Sequence, residues 1–186
     1  MTSTSARGSC ADAMIEVMRG LRAVRQLRSD PIPDQDLHDI LEVARWSGSA
    51  GNRQPWEFVV VRDRAMLQRL ATIEGAVASH LATAAAGIAI VMHPEMPDLD
   101  GYDEGRAAER ILLAARACGL GAAVGHFTGP GTTWAASTEA KRMLDIPDAF
   151  LLREIISIGY PAEHLLPTTN PAGRKPLEQL VHWDRY

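Results

Sequence analysis

Between positions 49 and 54 the chain sets a hydroxyl, two amides and a guanidinium close together, on Ser49, Asn52, Arg53 and Gln54. Gly48, Ala50 and Gly51 keep the intervening backbone open to close approach. Pro55 ends any helix and hands the chain to an extended segment. Such a loop can hydrogen-bond the polar edge of a flat molecule. It can equally be an ordinary helix-to-strand connection, and the residues alone weigh the two readings evenly. A second set is cationic: Arg22 and Arg25 stand three apart, and Arg174-Lys175 lies far along the chain. A guanidinium grips phosphate bidentately, each charge-assisted bond being worth about 1.5–3 kcal/mol. Arginines converging from remote segments would make an anion site; by position alone, solvated surface charge is the commoner fate.

Other motifs carry less. Gly119-Leu120-Gly121-Ala122-Ala123-Val124-Gly125 misses the GxGxxG dinucleotide fingerprint by one position, and it follows a helical segment where the fingerprint must follow a strand. The run from Gly125 to Thr133 has no lysine to complete a phosphate loop, and Pro130 removes a donor. The six histidines are scattered without zinc spacing or HExxH, so no metal site is expected. His126, set among glycines, can touch a ligand, whereas His38, His80 and His182 read as packing or solvent contacts. No GxSxG elbow surrounds Ser47 or Ser49. Trp46, Trp56, Trp134 and Trp183 read as core or interface residues.

The elements that must position these groups follow from size and periodicity. A chain of 186 residues, 46% hydrophobic and 23% charged, suits one soluble domain with a substantial core. A net charge of −4 speaks against nucleic acid as a partner. No apolar run reaches the roughly 20 residues that span a bilayer, so no membrane partner is expected. The segment MTSTSARGSCADAM has no secretory pattern, and Cys10 and Cys118 are isolated; the expected location is cytoplasmic with reduced thiols. Met14, Val17, Met18 and Leu21 are spaced as one helix, and Leu37, Ile40, Leu41 and Ala44 as another that Asp34 can cap. Phe58 to Val61, Gly87 to Met92 and Glu154 to Gly159 read as buried strands, and Arg64 to Ala71 as a short helix. The stretch Glu95 to Tyr102, with its prolines and acids, reads as an exposed loop before a long helix capped by Asp103 and ending at Cys118. A helix-end-to-strand transition follows at 119–125, then a helix around Ser137 to Leu144. The tail from Tyr160 to Tyr186 has little periodicity, which suits a segment wrapping a partner subunit.

Taken in order, LRAVRQLRSDPIP, SGSAGNRQPWEFVVVRD, AERILLAARACGLGAAVG, ISIGYPAE and GRKPLEQLVHWDRY resemble the FMN-dependent nitroreductase family from about Met18 to Tyr186. The resemblance implies an α+β, nitroreductase-type fold: a central, mainly antiparallel mixed sheet flanked by helices, in an intertwined homodimer with FMN at the subunit interface. A flexible segment 1–9 would precede a single domain over 10–186, with 160–186 clasping the partner. Arg22 and Arg25, with Ala23 between them, match the basic motif at the FMN phosphate, and Arg174, next to Lys175, matches the tail arginine that joins them. Gly48, Ser49, Asn52 and Gln54 match the loop lining the flavin of the opposite subunit. The segment Gly121 to His126, with Val124, Gly125 and His126 nearest, matches the place where backbone N–H groups face the flavin nitrogen that accepts hydride. An N–H there favours the reduced, anionic flavin.

The departures are specific. Leu21 stands where an arginine is frequent and Ala23 where a serine is, Ser47-Gly48-Ser49 replaces Ala-Pro-Ser, and Glu109 and Arg110 replace amides. The implied activity is a ping-pong oxidoreductase: NADH or NADPH reduces bound FMN, which then reduces a small electron-poor acceptor such as a nitroaromatic or quinone. No catalytic side chain is expected, because the flavin carries the chemistry. Acceptor choice is expected to fall to the loops Pro94 to Tyr102 and Phe127 to Trp134, with Tyr102 and Trp134 as pocket walls. The alternative is a protein of the same fold that stores or senses FMN with little turnover.

Overall fold

The computed structural model describes residues 9–129, 131–162 and 174–186. Helix α1 (Ser9–Arg19) is followed by an extended basic segment and a two-residue strand, β1 (Leu27–Arg28). Then come α2 (Asp34–Arg45), β2 (Trp56–Val61), α3 (Arg64–Ala71), β3 (Ala86–Met92), α4 (Pro97–Ala117), β4 (Gly121–His126), α5 (Trp134–Met143) and β5 (Leu151–Pro161). Short 3-10 turns lie at Ala50–Asn52, Ser79–Thr83 and Leu177–Gln179.

Strand β5 is the hub of the sheet. It pairs antiparallel with β3 on one side and β4 on the other, β2 lies antiparallel outside β3, and β1 pairs with the end of β5 at Pro161 and Tyr160. The parallel contribution is a single bridge between Ala23 and Ala122, so the fold is α+β with a mainly antiparallel sheet, as expected. Alternation along the strands divides the core. Ile88, Ile90, Ile156 and Ile158 pack with α2 and α4 through Ile40, Ala107, Ile111 and Ala115 on one face. Ala89, Val91, Leu152 and Ile155 pack with Leu67, Leu70, Phe127 and Ala140 on the other.

Element boundaries differ from the sequence reading in several places, including the start of β5 at Leu151 and of α5 at Trp134. Helix α4 begins at Pro97, six residues before Asp103, so much of the expected Glu95–Tyr102 loop is its first turns. Proline suits the first turn of a helix, where its missing N–H costs no bond. Asp98 and Asp100 in that turn meet the positive end of the helix dipole. Helix α1 stops at Arg19 rather than reaching Leu21. Asp34 does not cap α2: it lies inside the helix and pairs with Arg62 at 2.6 Å, while Pro33 holds the cap position. Among the described residues the side-chain caps are Asp63, which accepts from the Met66 N–H at 2.7 Å, and Thr133, which accepts from the Ala136 N–H at 3.3 Å. Ser9 begins α1; the rest of the expected flexible segment 1–9 lies outside the described residues, as do Pro130 and the 163–173 part of the tail. No described helix is long and apolar enough to cross a membrane.

Candidate functional site

The basic segment runs along the outer edge of β4. The Val24 N–H donates to the Ala122 carbonyl at 2.8 Å, next to the Ala23–Ala122 bridge. The fit is close because Gly121 has no side chain: a Cβ there would stand 2.7 Å from the Val24 Cγ1. This docking places Arg22 and Arg25 beside β4. The result is a cleft of about 760 Å³, within the range of small-molecule sites. Its walls include Arg22, Ala23 and Arg25 from the basic segment, Ala123, Val124 and His126 from β4, and Arg174 from the far end of the chain. Leu112 and Glu109 on α4 close another side. Among the described residues four arginines, counting Arg19, face one carboxylate, which makes this lining cationic in a chain of net negative charge.

Six of the twelve residues expected at a cofactor thus converge: Arg22, Ala23, Arg25, Val124, His126 and Arg174. Arg22 also donates to the carbonyls of Arg19 at 2.8 Å and Leu21 at 2.6 Å. Gly125 is buried behind the wall; a Cβ would lie 3.1 Å from the Ala78 Cβ and 3.3 Å from the His80 Cε1. Lys175 is exposed and does not line the cleft.

The edge of β4 is closed at both ends. Ala122 receives Val24, and at the other end the His126 N–H donates to the Val77 carbonyl at 3.0 Å while the Val77 N–H donates back at 2.8 Å. The His126 amide is therefore committed, which corrects its expected part as a backbone donor to a ligand. Val124 sits between these pairs with the same orientation, so its N–H lies on the cleft edge. Below it, the buried His80 ring bonds the Val124 backbone, and its Nδ1 lies 2.7 Å from the Ser157 Oγ. Burial lowers the His80 pKa and keeps the ring neutral, outweighing the bond to Val124.

The loop at 48–54 lies elsewhere in the chain. Gly48 borders a second cavity of about 730 Å³ along α4, with Gly101, Tyr102, Arg106 and Arg110, and Gln54 borders a third of about 450 Å³. Glu109 touches both the first and second cavities, so α4 stands between the loop and the arginines. Asn52 and Gln54 hold left-handed backbone, with φ of 57° and 53°, a strained choice for Gln54. The Gln54 N–H donates to the Ser49 Oγ at 2.9 Å, so loop polar groups partly satisfy one another.

Arg53 is what sequence reasoning missed. Read as a ligand-facing guanidinium, it instead turns inward to Asp100 and Asp103 of α4, at 3.2 Å each. The Ala50 N–H also donates to Asp103, at 3.3 Å. A second cluster joins α4 to β5 through Glu104, Arg153 and Glu154. The Arg153 Nε donates to the Glu104 Oε2 at 2.5 Å, leaving Glu104 Oε1 and Arg153 Nη2 buried with no hydrogen-bond partner among the described residues. Burial pushes the Glu104 pKa up to about 7 despite Arg153. Glu154, next to Arg153, is also raised by burial, and it lies 3.6 Å from the His126 Nδ1. Among the described residues no cluster of histidine, cysteine and carboxylate is placed to hold a metal ion.

Comparison with known proteins agrees with this architecture. The model of the nitroreductase family matches residues 18–95. An Archaeoglobus fulgidus protein that carries the provisional name NADH dehydrogenase/NAD(P)H nitroreductase is 33% identical over 146 residues, 76% of this chain and 82% of the relative. An FMN-dependent nitroreductase from Clostridium difficile superposes with a TM-score of 0.77 at 25% identity, over 92% of this chain and 99% of its own. A provisionally named nitroreductase from Desulfovibrio desulfuricans, crystallised with FMN, gives 0.77 at 25% identity over 93% and 97%.

Proposed function

Because the chain belongs to the nitroreductase family, whose members are oxidoreductases, we propose that it binds FMN in the arginine-lined cleft and uses it to pass electrons from NADH or NADPH to an electron-poor acceptor. The convergence of Arg22, Arg25 and Arg174 with the exposed edge of β4 carries this reading. The cleft suits the group: cations at one side match a phosphate, and Leu112, Ala123 and Val124 offer an apolar wall to a flat ring. When bound, FMN supplies two-electron chemistry with a nicotinamide donor and a quinone or nitroaromatic acceptor in alternation.

The protein supplies binding and electrostatics. Arg22, Arg25 and Arg174 hold the phosphate, and Ala23 lets the basic segment lie close to β4. The Val124 N–H, on the cleft edge, offers a donor to the ring; His80 beneath holds the peptide that follows it. Gly125 keeps that part of the strand thin enough to seat on Ala78.

We further propose a homodimer in which Gly48, Ser49, Asn52 and Gln54 of one chain complete the cleft of the other. Two observations support it. In a single chain α4 separates this loop from the arginines. Leu177, Leu180, Trp183 and Tyr186 in the tail, with Tyr102 and Trp134, are all exposed, more large apolar surface than a monomer usually presents. Lys175 in that tail would then contribute charge near the cleft.

The deciding experiment is stopped-flow mixing of the FMN-loaded protein with NADH and with NADPH, followed by a quinone. Flavin bleaching by at least one nucleotide and recovery on adding quinone is the expected result. Absence of bleaching with both would replace the reductase reading by FMN storage or sensing. Sedimentation should give a dimer; a stable, flavin-loaded monomer would overturn the shared site.

A further inference from the structure

We propose that His126 is the proton donor to the acceptor bound in the cleft, with Glu154 as the carboxylate that holds its imidazolium. The proposal rests on the reductase reading for the identity of the acceptor but on separate residues. Among the described residues His126 is the one that lines the cleft, apart from the arginines and Glu109, with a side chain that can carry a transferable proton. Its backbone is fixed by two hydrogen bonds to Val77, so the ring is held at the mouth of β4 and does not wander with a loop. Its side chain keeps 44% of its exposure, while Glu154 behind it keeps 23%.

Orientation follows from the pairing. Nδ1 is the nitrogen on the Glu154 side, 3.6 Å from Oε1, so Nε2 is left for a molecule in the cleft. His126 and Glu154 are directly opposed on β4 and β5, and cross-strand neighbours of this kind hold a fixed separation. The charges around the ring are arranged with a purpose in view of that pairing. Arg22, Arg25 and Arg174 line the same cleft and oppose a further cation, as does Arg153 beside Glu154. Glu109 from α4 and Glu154 from β5 offset them, and His80, on the 3-10 turn below, stays neutral. Without Glu154 the cationic form of His126 would lose the carboxylate paired with it and face four cleft guanidinium groups with Glu109 alone to offset them. Burial raises the Glu154 pKa, and His126 counteracts that rise, as a cation beside a carboxylate does.

The step balances simply. A quinone that receives a hydride gains two electrons and one proton, and it needs one more proton to leave as the hydroquinone. The N–H bond of the imidazolium breaks, an O–H bond forms on the quinone, and the electron pair stays on the ring nitrogen. Water at the exposed side of His126 restores the proton.

The test uses the FMN-loaded protein reduced by dithionite, so that it does not depend on NADH or NADPH. Reoxidation is followed in stopped flow with para-benzoquinone, which needs protons, and with ferricyanide, which takes only electrons. His126→Asn should lower the quinone rate relative to the ferricyanide rate by about 10²-fold, the usual contribution of a positioned acid. Glu154→Gln should lower the same ratio in the same direction at neutral pH. A readout apart from turnover is the Glu154 titration, followed by carbon NMR of glutamate-labelled holoprotein: His126→Asn should move it to higher pH. Equal slowing with both oxidants, or a Glu154 titration that does not move, would overturn the proposal. Nicotinamide that fails to bleach the flavin, with the quinone-to-ferricyanide ratio still dependent on His126, would sink the reductase reading alone.

Discussion

Arg53 and Asp100, forty-seven positions apart in sequence, meet at 3.2 Å with the carboxylate wholly buried. The same guanidinium reaches Asp103 at 3.2 Å and, at 3.6 Å, Glu95. One side chain therefore fastens the 48–54 loop to the start of α4 and neutralises acids that could not otherwise leave water.

Removing it should be costly. Arg53→Ala leaves Asp100 and Asp103 without their cation, and breaking a buried pair from one side costs about 3–5 kcal/mol. Because a sixth of Arg53 remains exposed, the lower end of that range is expected. Denaturant unfolding measures it. Arg53→Lys should recover only part, since an ammonium cannot bond both carboxylates in a plane.

Glu104 predicts a pH dependence. Its folded pKa, about 7, lies above the ordinary 4.5, so the folded protein holds a proton the unfolded chain has released. Stability should therefore fall as pH rises from about 4.5 to about 7 and stay low beyond. Glu104→Gln, close in shape to the protonated acid, should match the parent at pH 5 and exceed it at pH 8 by a few kcal/mol, on the order of the shift itself. Thermal or denaturant melts at the two pH values would show equal gaps if burial of Glu104 did not matter.

Arg174→Ala and Arg22→Ala should each weaken FMN by about 1.5–3 kcal/mol, the worth of a charge-assisted bond. Fluorescence titration of the apoprotein gives the number. Lys175→Ala, whose residue stands outside the cleft of a single chain, should have a smaller effect.

Gly125→Ala should destabilise by about 1–3 kcal/mol, the cost of overpacking. The new Cβ would meet the Ala78 backbone at 3.2 Å as well as its Cβ, and a backbone atom cannot swing aside. Any shift it causes moves Val124, so FMN affinity should fall with stability. A variant as stable as the parent would show that this part of β4 has slack.

The strands and amphipathic helices were legible because their signals are local: the isoleucine alternation of β3 and β5, and the Leu37, Ile40, Ala44 stripe of α2. The arginines of the cleft were legible through their order along the chain. Arg53 was not, since nothing in its neighbourhood says that acids half a helix long and dozens of residues away will be buried beneath it. For the same reason Asp103 looked like a cap and the first turns of α4 like a loop. His80 had no local signal either, as its partners Ser157 and Val124 come from other strands. The commitment of the His126 amide depends on Val77, a bridge that no periodicity announces.

The two closures on β4 have one more effect. A bare strand edge is a template for any other extended chain, and folded proteins block such edges to avoid sticking to one another. Here Val24 occupies one end and Val77 the other, leaving an opening about a dipeptide long at Val124. A foreign strand needs several consecutive pairings to hold, and this opening is too short for them. The strand can receive a flat molecule without inviting fibre-like association.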